Sequence, residues 1–136
     1  MTQPFQFNFE KTYREIDISG DIHRVEFNDE ALTRYQKAIK RFNQGIKEVQ
    51  EVLKNVNIET DSDEEIQKVS DKQKDVVKDV VEVFLGEGTF EGLYEKAGKS
   101  VMNLMSLVNY LIEIHTSEMQ SKTEDARKKY LENVKK

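Results

Sequence analysis

The chain has 136 residues, 37% of them hydrophobic and 35% charged, with a net charge of −5. That length suits one domain, and an apolar share below that of a typical globule suits helices with solvated outer faces, or a core that a partner completes. Without Cys there is no disulfide framework and no thiolate chemistry, and no apolar run nears the roughly 20 residues that a membrane-spanning helix needs.

The first residues, MTQPFQFNFEK, lack the basic and apolar regions of a signal peptide, so a cytoplasmic protein is expected. Phe5, Phe7 and Phe9 alternate with polar residues, as in a short strand or an arm that docks by aromatic contacts. Residues 12–18 and 22–27 are two β-prone runs flanking Ser19-Gly20-Asp21, which predicts a hairpin. Ile16 and Ile18 share one face of it, as do Val25 and Phe27. A lone hairpin is marginal, so this one is expected to lie on helices or to extend another sheet.

Asn28 or Asp29 can cap the helix that follows. Leu32, Tyr35, Ile39, Phe42, Ile46, Val49, Leu53 and Val56 are spaced alternately three and four apart. That is an a/d seam over almost four heptads, which needs a long partner surface. These eight residues are the candidate stripe for self-association or partner binding. Gly45 inside the helix costs about 1 kcal/mol against Ala. It reads as a weak kink, with close approach of a neighbouring backbone as the other reading.

Residues 57–82 hold nine acids and four lysines, so they carry the whole net charge of −5. This acidic belt argues against nucleic acid as a partner, because phosphate contacts need clustered Lys and Arg. Ser62 and Glu65 have capping-box spacing and open a second helix. Its face is Ile66, Val69, Gln73, Val76, Val77, Val80 and Phe84. Valines favour strands, but the three-four spacing decides for helix. Gly86-Glu87-Gly88 ends it. Thr89 can cap a short helix carrying Phe90, Leu93, Tyr94 and Ala97. Gly98 interrupts, and Ser100 can cap a last helix with the stripe Val101, Leu104, Met105, Val108, Leu111, Ile112, His115 and Met119. His115 is expected to pack at the rim of that stripe. Met102, Met105 and Met119 are candidate adaptable contacts, since Met suits surfaces that accept more than one partner as well as core gaps.

The fold class expected is mainly α: an N-terminal β-hairpin, then a small bundle of three or four helices, two of them long. One domain spans 1–136, with an arm at 1–11, the hairpin at 12–27, a helical core at 28–119 and a charged helical tail at 120–136.

Signals for chemistry fail their own tests. Gly98-Lys99-Ser100 resembles the end of a phosphate loop, but Leu93 stands where the first Gly belongs and a helix precedes it. An interhelical junction is the better reading. Asp61, Asp63 and Glu65 alternate as in a calcium loop, but Ile66 and Lys72 occupy the positions of the invariant Gly and the bidentate Glu. His23 and His115 have no partner at zinc-ligand spacing. No catalytic, metal or cofactor residue is assigned, and the chain is expected not to be an enzyme.

The order of pieces carries a resemblance. The hairpin KTYREIDISGDIHRVEF, the run NDEALTRYQKAIKRF, the acidic loop, the Val-rich helix and LGEGTFEGLYEKAG, followed by a last helix, resemble the small tail assembly chaperones of long-tailed phages and prophages of Gram-positive bacteria. The resemblance covers about residues 11–119. It implies a non-enzymatic helical protein of the infected cell that coats the tape-measure protein, helps recruit tail-tube subunits, self-associates, and is absent from the finished particle. The alternative is a structural helical adaptor or virion component that packs permanently.

Overall fold

The structure, a computed structural model, describes residues 4–55, 57 and 62–134. It is mainly α. Two strands, β1 (Tyr13–Ile18) and β2 (Asp21–Glu26), are followed by α1 (Asp29–Asn55), α2 (Asp63–Leu85), α3 (Thr89–Lys96) and α4 (Val101–Val134). The helices have 27, 23, 8 and 34 residues.

The hairpin pairs Tyr13 with Glu26 through to Ile18 with Asp21. Its two-residue loop, Ser19-Gly20, has positive φ at both positions, 50° and 95°. This left-handed pair matches the twist of antiparallel strands. The Asp17 carboxylate steadies it by accepting from the Gly20 N–H at 2.8 Å. Ile16, Val25 and Phe27 are buried, so the hairpin lies on the helices, with β2 against α2. Arg14 reaches Glu118 on α4, and Asp21 pairs with Lys96 on α3.

Asn28 caps α1, its side-chain oxygen accepting from the Ala31 N–H at 2.8 Å. Ser62 caps α2 through Glu65 N–H at 3.2 Å. α2 is the hub, touching α1, α3, α4 and β2. Val77, Val80, Val81 and Phe84 are buried along it, so burial on a helical period overrides the strand preference of valine.

Thr89 does not cap α3, contrary to expectation: it is the first helical residue, and the cap position is Gly88, held at φ 85°. The cap comes instead from α2. Glu82 accepts from the N–H groups of Gly88 at 3.0 Å and Phe90 at 3.3 Å. A carboxylate there meets the positive end of a helix. Gly98-Lys99-Ser100 is the α3–α4 junction. Lys99 N–H bonds Tyr94 O and Gly98 N–H bonds Glu95 O, the paired bonds that close a helix behind a left-handed glycine. Ser100 then caps α4 by accepting from Asn103 N–H at 3.2 Å.

Candidate functional site

Gly45 settles how α1 meets α2. A Cβ at that position would stand 2.7 Å from Cγ2 and 3.0 Å from Cγ1 of Val76. The glycine therefore serves close approach rather than the expected kink, and the neighbour is a side chain instead of backbone. Ala31, Tyr35, Ala38, Phe42, Gly45 and Val49 form the buried stripe of α1. Small residues at Ala38 and Gly45 let α2 come close. Arg41 forks onto Asp79 at 2.9 and 3.1 Å, and Lys72 bonds Glu48 at 2.8 Å, so two exposed ion pairs tie α1 to α2.

The predicted seam is thereby divided. Tyr35, Phe42 and Val49 are core, while Leu32, Ile39 and Ile46 are half-buried at its margin. Leu53 is 51% exposed, and Val56 lies outside the described residues. The cause is geometric. At 3.6 residues per turn the column Leu32, Ile39, Ile46 stands about 60° to one side of the column Tyr35, Phe42, Val49, and it is the second column that belongs to the buried stripe of α1. The column Leu32, Ile39, Ile46, Leu53 cannot all face α2. It remains as an apolar flank along α1, partly open to solvent.

A second apolar surface lies where α1 ends and α2 begins. A groove of about 430 Å³ is walled by Val49, Val52 and Val69, with Asn55, Glu65, Lys68 and Lys72 at its margins. Val52 is 41% exposed. Val52 is off the seam and Val69 reads as one more core valine, so their meeting is visible only in the fold. Of the candidate methionines, Met102 is exposed on α4, and Met105 and Met119 are half-buried. Phe5, Phe7 and Phe9 form an exposed arm ahead of β1.

His115 lies deeper than the rim position expected, at 6% exposure. Its ring stands edge-on to Tyr35 and Phe84, with centroids at 6.0 and 6.4 Å. Its Nε2 is buried and has no hydrogen-bond partner among the described residues. Burial lowers its pKa below the ordinary imidazole value, because an apolar surrounding disfavours the charged form. The folded chain thus holds His115 neutral, while the unfolded chain protonates it near the usual value of about 6.5. The contribution is complete above that value and is lost as pH falls through the lower folded pKa. Melting curves between pH 5 and pH 8 are expected to show Tm falling towards acid, with a smaller fall in His115→Phe. Equal slopes in both proteins would refute a neutral buried His115.

Among the described residues no three His, Asp or Glu side chains are placed to hold a metal ion. Asp63 and Glu65 lie in the first turn of α2, and Asp61 lies outside the described residues. No described helix is long and apolar enough to cross a membrane. The chain matches no protein-family model, no curated protein and no solved structure.

Proposed function

We propose that this chain is a non-enzymatic tail assembly chaperone of a long-tailed phage or prophage. It would act in the bacterial host cytoplasm, bind the tape-measure protein and help recruit tail-tube subunits. The resemblance of residues 11–119 supplies the class. One structural observation carries it further: the column Leu32, Ile39, Ile46, Leu53 recurs every seven residues and stays partly open along α1. A client built of long helices presents apolar residues on the same period, so such a flank can lie along it as a further helix of a coiled coil. Exposed Met102 adds an adaptable contact on α4. The charged outer surface keeps the pair in solution.

Co-expression with the phage's tape-measure protein tests this reading. The chain is expected to hold that protein in the soluble fraction and to co-purify with it, yet to be missing from purified particles. Recovery in particles would favour the adaptor reading, and an insoluble tape-measure protein whether or not the chain is present would overturn the chaperone reading.

A further inference from the structure

We propose that the N-terminal aromatic arm of one copy seats in the α1–α2 groove of a second copy, so that the chain assembles head to tail. This stands on geometry alone and is independent of the chaperone reading.

Phe5, Phe7 and Phe9 are 107%, 73% and 90% exposed. Three solvated rings within five residues are a large apolar surface for a monomer to leave in water. In an extended segment, alternate residues point the same way, so one straight arm can present all three rings to one surface. Residues 4–9 carry no charge, so seating them desolvates no ion.

The groove is the complementary shape. Its volume, about 430 Å³, lies within the roughly 300–1,000 Å³ of pockets that hold organic ligands. Its valine walls suit a phenyl ring, and Lys68 at its margin can lie over a ring face. The fold already uses that contact elsewhere, with Lys74 Nζ 4.3 Å from the Tyr94 centroid.

Reach identifies the occupant as another copy. The arm is rooted at Thr12, whose carbonyl accepts from the Phe27 N–H at 2.6 Å, two residues before α1 begins. From there to Phe5 is seven residues, at most about 25 Å of extended chain. Val49 and Val52 stand twenty and twenty-three residues along α1 from Asp29, about 30 and 35 Å away at 1.5 Å per residue. Phe7 and Phe9, rooted within about 18 Å of Thr12, fall well short. The arm cannot fill its own groove with its three rings. Arm and groove belong to opposite ends of α1, so the contact is heterologous and each copy keeps one free half of it. Such contacts propagate into rings or filaments.

The test is sedimentation velocity of the full chain over a concentration series, with two variants whose changes lie on exposed positions. One carries Phe5→Ser, Phe7→Ser and Phe9→Ser; the other carries Val52→Glu. Circular dichroism checks that each keeps its helices. The wild type is expected to form species that grow with concentration. Each variant is expected to associate roughly thirty-fold more weakly or worse, the loss that follows removal of a buried aromatic anchor or its pocket. The arm variant retains an intact groove and the groove variant an intact arm, so mixing the two is expected to restore a dimer that neither forms alone. A monomeric wild type, wild-type assembly by the arm variant, or no complementation on mixing would each overturn the proposal.

Discussion

Tyr35→Ala is expected to cost about 4 kcal/mol, the range for deleting a large buried aromatic, out of a total of about 5–15 kcal/mol for a domain of this kind. Tyr35 is 1% exposed and is the point where three parts of the fold meet. Its ring stacks on Phe84 of α2 with centroids 4.2 Å apart. It stands edge-on to Phe27, which follows β2, and to His115 of α4, at 6.1 and 6.0 Å. Removing it opens a cavity between α1, α2 and α4, which packed neighbours fill only in part. Tyr35→Phe keeps every ring contact but loses the hydrogen bond between its hydroxyl and the Glu26 backbone, and is expected to cost about 1 kcal/mol, the scale of one hydrogen bond. Urea unfolding distinguishes them: a large fall in midpoint for the alanine variant, a small one for phenylalanine. A midpoint unchanged in Tyr35→Ala would mean that the hairpin, α1 and α4 do not share this core.

Gly45→Leu is expected to cost about 3 kcal/mol through overpacking, a fall in Tm of roughly 10 °C. Helix propensity alone points the other way, since Leu is better than Gly in a helix interior by somewhat less than 1 kcal/mol. The sign is therefore diagnostic. A Cβ at this position already collides with both γ-carbons of Val76, so a longer side chain must force α1 from α2. A second variant, Gly45→Ala with Val76→Ala, removes the colliding methyls and is expected to be more stable than the two single costs add to, because contacting residues couple. A Gly45→Leu protein that melts at or above the wild-type temperature would show that the two helices do not meet there.

Local chemistry was legible in the sequence wherever neighbours along the chain decide the structure. Ser19-Gly20 marks the hairpin loop because two left-handed residues must sit there. Asn28, Ser62 and Ser100 mark helix starts because each side chain bonds a backbone N–H within the next few residues. The valines of α2 read as helix because their spacing is a property of the segment. What was not legible depends on partners far away in the chain. Gly45 reads as a kink until Val76 is placed against it. Thr89 reads as a cap, but Glu82 from the preceding helix reaches those N–H groups first. His115 reads as a rim residue because its covering rings come from α1 and α2.

The candidate surfaces follow the same division. The seam of α1 is plain in the spacing, but its division into core and flank is not. Ala31, Ala38 and Gly45 look too small to count as a stripe, yet all three are buried, and Gly45 is where Val76 of α2 closes on α1. Leu32, Ile39 and Ile46 look no different from the rest of the seam, yet they end at the margin of the core. Val52 and Val69, from two helices, make a groove that no single segment signals.

The open column along α1 is the surface on which the proposed client helix would lie. The most direct test of that role is the soluble yield of the tape-measure protein when co-expressed with the wild-type chain and with Ile39→Gln/Ile46→Gln. Half-buried glutamines can turn their amides to solvent, so the variant is expected to fold, which its circular dichroism checks. The wild type is expected to keep the tape-measure protein in solution, and the folded variant to lose most of that effect. A folded variant that protects the tape-measure protein as well as the wild type does would contradict that role.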